Sequence, residues 1–290
     1  MEPEEIAARV WPGREVELEP LGGGITNRNY KVAVGDETFV LRIGGKDTAL
    51  LGIDREAEHV ASSIAADLGI GPEVVAFLEP EGYLVTRFVE GSPLPVEEVR
   101  EAETLRRVTE TLRRFHDGPS LPVRFDSFRV VEAYLTTAAS RGVATPRDYE
   151  QAKQTADEIE RAQGRQPEHP CHNDLLNANF IGQDGDVRIV DWEYAGMGDR
   201  FFDLANFSIN HELTDDQNEA LLKAYFGETR EQDLRSLRLM RFMSDFREAM
   251  WGVVQQGLSE LDFDFLGYAD EHFARLERTA ADPAFRESLR

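Results

Sequence analysis

In the stretch CHNDLLNANFIGQDGDVRIVDWEYA, Cys171 to Ala195, His172, Asn173 and Asp174 stand in a row. Asn179 follows five residues on, and Asp191 lies beyond a Gln183-Asp184-Gly185-Asp186 turn. If that turn closes a hairpin, the carboxylates of Asp174 and Asp191 and the carboxamide of Asn179 come within reach of one point. Oxygen donors of this kind are what a hard cation such as Mg²⁺ takes. Phosphoryl transfer from ATP needs such a cation to neutralise the phosphates, and a carboxylate to orient an attacking hydroxyl and accept its proton. Singly, Asp174 and Asn179 are ordinary turn residues and Asp191 an ordinary strand-end residue; their joint spacing is what points to chemistry. His172 reads as a side chain that bonds backbone and fixes the loop, not as a group that titrates in the reaction.

Elements on either side must hold these groups. The first ninety or so residues read mainly as strands, in VELEPLGGG, NYKVAVGDETFVLRI and YLVTRFVEG, with a hairpin turn at Gly35-Asp36. One helix interrupts them: after Asp54 as N-cap, Ala57, Val60, Ala61, Ile64, Ala65 and Leu68 make one buried stripe, and Gly69 ends it. Past the turn-rich EGSPLP the pattern becomes helical, with helices expected over 97–117, 130–139, 149–162, 216–226, 231–258 and 266–279, and β structure confined to the opening stretch. The expected fold class is α+β and bilobal, with a small β-rich lobe over residues 1–90, a hinge near 88–91 and a larger, mainly helical lobe over 91–290.

At 290 residues and 41% hydrophobic content, the chain can bury a substantial core. The single cysteine, Cys171, excludes an intramolecular disulfide, and the opening MEPEEIAARVWP lacks the basic start and apolar run of a secretory leader. A cytoplasmic location is expected. No apolar run approaches the roughly 18 residues of a membrane span. The formal net charge of -23 argues against nucleic acid and anionic membranes as partners and welcomes a small cation. The same acidity also serves solubility, including in a salty cytoplasm.

The segments HNDLLNAN and DWEYAGMGDRFFDLAN resemble the choline/ethanolamine kinase family, a branch of the aminoglycoside-phosphotransferase-like enzymes with a protein-kinase-like fold. The likeness runs from about Leu21 to Phe273. It implies that ATP and Mg²⁺ are the cofactors, that Asp174 is the catalytic Asp, that Asn179 and Asp191 hold metal, and that Asp203 braces the catalytic loop. LGGGITNRNYKV resembles the nucleotide loop of this branch, which assigns Gly23, Gly24, Thr26 and Asn27 to the phosphates. Arg42 stands where protein kinases place a phosphate-pairing lysine, and its guanidinium can bridge phosphate oxygens in a fork. Glu58 would anchor Arg42; a local pair of Glu58 with Arg55 on one helix face, or Glu56 in its place, are the alternatives. YLVTRFVEG resembles the hinge strand, where backbone from Thr86 to Phe88 would read adenine, a plain edge strand being the alternative.

The resemblance also implies the acceptor, a small hydroxylated cation. Tyr194, Trp251 and Tyr268 align with positions that enclose a quaternary ammonium by cation–π attraction. For Trp251 the alternative is core packing beside Met243, Phe246, Met250 and Val253. Where the family has W-x-x-W, this chain reads Glu248-Ala249-Met250-Trp251, and Asn210 stands where choline kinases carry an acidic residue. Glu248 favours a cation that bears N–H donors. The expected activity is choline or ethanolamine phosphorylation. A thiamine or aminoglycoside phosphotransferase shares every catalytic feature, a catalytically silent kinase-fold binding protein is a further alternative, and the oligomeric state is open.

Overall fold

A computed structural model describes residues 1–22, 26–183 and 185–290. The chain opens with α1 (Pro3–Val10), which a Glu2/Glu5 capping box and an N-terminal proline start and whose Ile6 is fully buried. Five strands then form one antiparallel sheet: β1 (Glu17–Leu21), β2 (Asn27–Val34), β3 (Glu37–Gly44), β4 (Val74–Leu78) and β5 (Tyr83–Arg87), ordered β1-β2-β3-β5-β4. Val34 faces Glu37 across the expected Gly35-Asp36 turn, where Gly35 has φ 64. Alternation along β2 and β3 turns Val32, Val34, Phe39, Leu41 and Ile43 to one side, and with Ile6, Leu78 and Val85 they form the core of the sheet.

Between β3 and β4 runs α2 (Arg55–Asp67), N-capped by Asp54, whose carboxylate accepts from the Ala57 N–H. The buried arc of α2 is centred on the row Ala57, Ala61 and Ala65, so Val60, expected to be buried, lies to one side and is exposed. Ala61 and Ala65 pack, with Leu51, Ile53 and Ile70, into the same apolar cluster as Val108, Leu112, Phe115 and Trp192. The hydrophobic core therefore does not divide where the sequence pattern changes.

The remainder contains β6 (Ser92–Pro93), α3 (Val96–Val99), α4 (Ala102–His116), α5 (Ser127–Ser140), α6 (Tyr149–Gln163), β7 (Glu168–Cys171), β8 (Phe180–Gln183), β9 (Asp186–Ile189), β10 (Gly196–Asp199), α7 (Arg200–Asn210), α8 (Asp215–Phe226), α9 (Glu231–Leu258), α10 (Phe265–Ala281) and α11 (Pro283–Ser288). The helix expected over 97–117 is broken into α3 and α4 at Arg100, whose guanidinium reaches the His211 carbonyl and the Glu212 carboxylate. Two small sheets, β10-β7 and β6-β8-β9, place β structure inside the helical half as well. At the centre stands α9, packed against α5, α7 and α10 and buried on every side from Phe242 to Gln255. No described helix is long and apolar enough to cross a membrane.

Candidate active site

The catalytic segment is built from two local devices. β8 and β9 pair in register from Phe180↔Ile189 to Gln183↔Asp186, and Gly185 takes φ 86 in the turn. This hairpin returns the chain so that the Val190 N–H donates to the Asn179 carbonyl at 3.0 Å, which sets Asp191 beside Asn179. β7, paired with β10 through Cys171↔Gly196, delivers His172, Asn173 and Asp174 to the same place. Asn173 and Asp191 have φ 67 and φ 68, a left-handed backbone that non-glycine residues seldom adopt and that concentrates at functional sites. Asn173 Nδ2 donates to the Tyr194 carbonyl at 3.0 Å, and Asn179 Nδ2 to the Asp174 carbonyl at 2.8 Å. His172 Nε2 lies 3.0 Å from the Val190 carbonyl while its Nδ1 accepts from the Asp174 N–H at 3.2 Å. Burial lowers its pKa, so His172 is a neutral spacer between two stretches of backbone.

A clamp from α7 fixes this loop. Asp203 is fully buried; its Oδ2 accepts the His172 N–H at 2.7 Å and its Oδ1 the Asn173 N–H at 2.6 Å. His116 Nε2 lies 3.0 Å from Asp203 Oδ2. Asn206, one turn further along α7, accepts the Leu175 N–H at 2.5 Å and donates to Ser244 of α9 at 2.9 Å. Spacing of three puts Asp203 and Asn206 on one helix face, so together they hold three backbone N–H groups of the loop. The sequence reading assigned the bracing role to Asp203 and missed Asn206, although both lie in FFDLAN.

At the junction with the sheet, the two pairings considered for Glu58 hold at once. Its Oε1 takes Arg42 Nη1 at 2.6 Å and its Oε2 takes Arg55 Nη1 at 2.6 Å. Glu58 is buried and Glu56 is exposed, which removes Glu56 as the anchor. Arg42 Nη1 also lies 2.6 Å from Asp191 Oδ1, tying β3 to the catalytic segment. Burial alone would lower the Arg42 pKa; Asp191 and then Glu58 outweigh it and raise it. Arg55 reaches onward to Glu193 at 3.2 Å, and burial, with Asp191 close by, pushes the Glu193 carboxyl up to about 8. Asn27 donates to Glu193 at 2.8 Å and accepts from Arg55 at 2.8 Å, so its side chain is committed to this network. Arg55 and Glu193 were not among the expected site residues; Glu193 sits in the DWEYA segment that carried the resemblance.

Gly23 and Gly24 lie outside the described residues, while the carbonyl of Thr26 passes so close to Gly45 that a Cβ there would meet it at 2.1 Å. Thr86 lies near the end of β5, between β3 and β4, and pairs with both Val40 and Val74, which removes the edge-strand alternative. The Phe88 N–H is likewise engaged, with the Thr38 carbonyl at 3.0 Å, and the Arg87 N–H with that of Glu73 at 2.8 Å. The bond to Thr38 carries the β3–β5 register one residue past the last pair, Phe39↔Arg87.

On the other side of Asp174, α9 and α10 bring a second group of residues together. Tyr194 accepts from Trp251 Nε1 at 3.0 Å, and Trp251 meets Tyr268 edge-on with ring centroids 5.6 Å apart. Tyr268 donates its hydroxyl to Glu248 Oε2 at 2.7 Å. Trp251 thus joins this group and packs into the core at the same time. Asn210 stands apart from this group, its amide 3.5 Å from the Leu175 carbonyl.

Arg247 was not anticipated at all. It is 1% exposed, its Nη1 lies 2.9 Å from Asp174 Oδ1 and 2.5 Å from Glu248 Oε1, and its guanidinium carbon stands 4.3 Å from the centre of the Tyr194 ring. Charged residues set among the apolar ones of RFMSDFREAMWGVV were the available signal, because such residues are almost never buried unless paired. Burial pushes Asp174 up to about 7; Arg247 opposes the rise, and Glu248 and Asp191 add to it. Glu248 is held low instead: burial works against its charge, but Arg247 and then His272 outweigh it.

A small β-sheet set against a helical body, with an Arg-bridged carboxylate pair where they meet and an Asp on a clamped loop paired to a buried arginine, defines a kinase-like phosphotransferase. Residues 17–240 match the model of the phosphotransferase enzyme family. A choline/ethanolamine kinase family protein from Mesorhizobium loti superposes with a TM-score of 0.83 at 31% identity, covering 100% of this chain and 98% of that one. A structure of LicA in complex with AMP gives a TM-score of 0.75 at 23% identity, over 95% of this chain and 96% of that one. Ethanolamine kinase 1 of Mus musculus is 25% identical over 312 residues, which cover 91% of this chain and 84% of that protein. The chain belongs to the phosphotransferase enzyme family, in its choline/ethanolamine kinase branch, and is a small-molecule kinase.

Proposed function

We propose that this chain is a cytoplasmic enzyme that transfers a phosphoryl group from ATP, with Mg²⁺, to the hydroxyl of a small cationic amino alcohol. The observation that carries the reading is the position of Asp174: its loop is joined to Asn179 and to Val190, the residue before Asp191, and its carboxylate is joined through Arg247 to Glu248 and Tyr194. Asn179 and Asp191 fit Mg²⁺. The Asn179 amide is fixed through Nδ2, which leaves its oxygen as the free end, and the Asp191 side chain keeps a quarter of its surface open. Bound there, the cation would neutralise phosphate charge. Arg42, kept charged by Asp191 and Glu58, holds phosphate oxygens. Asp174 orients the acceptor hydroxyl and takes its proton, a task suited to a carboxyl raised to about 7. Glu248, held ionised beside aromatic rings, attracts the ammonium of the acceptor.

The test is ATP turnover by the purified protein with Mg²⁺ against ethanolamine, choline, thiamine and an aminoglycoside, repeated with Asp174→Ala. Turnover with an amino alcohol is expected. Asp174→Ala is expected to abolish it while Mg-ATP still binds in calorimetric titration, since the base acts on the acceptor. Near wild-type turnover by Asp174→Ala would remove the mechanism.

A further inference from the structure

Arg247 already holds most of what a simple substrate cation would seek here, leaving it the Glu248 oxygen that also accepts from Tyr268. It binds one oxygen of Asp174 and one of Glu248, and it covers the face of Tyr194. All of this passes through Nη1 and the flat of the guanidinium. Its Nε and Nη2 are buried and have no hydrogen-bond partner among the described residues. A buried guanidinium with two unmatched nitrogens is rare, because stranded donors are unfavourable and charged ones more so.

The side chain is not a loose plug. Both neighbours, Phe246 and Glu248, are buried, and withdrawal of Arg247 would leave Asp174 and Glu248 as two buried carboxylates without their shared cation. Arg247 is therefore a fixed part of this cluster, and its two unpaired donors define what a ligand held beside it must supply. A guanidinium offers only donors, so its complement is an oxygen with lone pairs. An ammonium group cannot supply that, and a trimethylammonium presents only methyl groups to the same two nitrogens.

We propose that Arg247 is a specificity-determining residue whose Nε and Nη2 bind a second oxygen of the acceptor, so that the preferred substrate is an amino alcohol carrying a further hydroxyl or carboxylate beside the hydroxyl that is phosphorylated. This rests on the reading of the chain as an amino-alcohol kinase and narrows it. Glu248 takes the ammonium, Arg247 the second oxygen, and Asp174 the reacting hydroxyl.

The experiment compares kcat/KM of the wild-type protein with Mg-ATP for ethanolamine, choline, 2-amino-1,3-propanediol and serine, then repeats the series with Arg247→Met and Arg247→Lys. Wild type is expected to favour 2-amino-1,3-propanediol or serine over ethanolamine by about tenfold or more, since a site built to bond an oxygen rejects the analogue that lacks it. Which of the two wins tells a hydroxyl from a carboxylate. Arg247→Met, of similar length without donors, should bring the ratio close to one, and Arg247→Lys should restore it only in part. Because the wild-type ratio needs no variant, misfolding of either one does not blunt the test. Equal or better turnover of ethanolamine or choline by wild type overturns this inference and leaves the amino-alcohol reading standing. A preference that survives in Arg247→Met also overturns it. Turnover of none of the four acceptors removes both.

Discussion

Asp203→Asn tests whether the catalytic loop is positioned by α7. The carboxylate accepts two backbone N–H groups, at 2.7 and 2.6 Å, and faces His116 Nε2 at 3.0 Å, all in a fully buried place. An amide retains one acceptor oxygen, and in either orientation its NH₂ confronts a donor. One buried N–H group is then stranded, at about 1–3 kcal/mol, and the remaining bonds lose their charge assistance, about 1 kcal/mol each. The sum, ~3–5 kcal/mol, is below the total of about 5–15 kcal/mol available to a typical domain, so the variant should fold at room temperature. At about 2–4 °C per kcal/mol for a chain approaching this size, the midpoint of thermal unfolding should fall by roughly 10 °C. Asn173, left-handed at φ 67 and no longer tethered through its N–H, should let Asp174 drift. A displacement of ~1 Å can lower kcat by roughly a hundredfold. Differential scanning calorimetry and steady-state kinetics at saturating Mg-ATP measure the two effects. An unchanged midpoint with unchanged kcat would refute the account of the clamp.

Asp191→Asn removes one of the two carboxylates beside Arg42 and lowers the charge offered to a hard cation, so calorimetric affinity for Mg-ATP should weaken by about tenfold or more; unaltered affinity would return Asp191 to a structural role. The pH profile of kcat/KM should show an acid limb near pH 7, because Asp174 acts in its deprotonated form and burial has raised it to about 7. Activity is then lost as pH falls through that value, and a limb near the ordinary carboxylate value of about 4 would contradict the assignment. Glu248→Gln keeps a partner for Tyr268 but removes the charge that faces the ammonium, so KM for the acceptor should rise by about tenfold with KM for ATP unaffected. A rise in the ATP term alone would place Glu248 outside the acceptor pocket.

Much of this site was legible because it is local. His172, Asn173, Asp174, Asn179 and Asp191 lie within one short segment, and a two-residue turn is enough to bring the last two together, so spacing and turn chemistry carried the inference. The N-cap at Asp54 and the Gly35-Asp36 hairpin were equally local signals. Helix α7 left no such signature: from Phe201 to Ile209 it is buried on every side, and a helix without a polar face shows no period. The edge-strand alternative for YLVTRFVEG failed for a related reason, since the residues of a strand do not say how many neighbours it will have, and β5 has two.

What only the tertiary structure decided is which charges meet. Arg42 finds Asp191 across 149 residues, and Arg247 finds Asp174 across 73. A formal net charge of -23 offers any buried guanidinium many carboxylates to choose from. The choice is made by the packing of α9 against α5, α7 and α10, which sets Arg247 over Tyr194 and between two acids. Composition and spacing determined that this chain could move a phosphoryl group. The cluster around Arg247 exists only once α9 is buried, because a long-range ion pair depends on a low-dielectric place that no single segment of the chain contains.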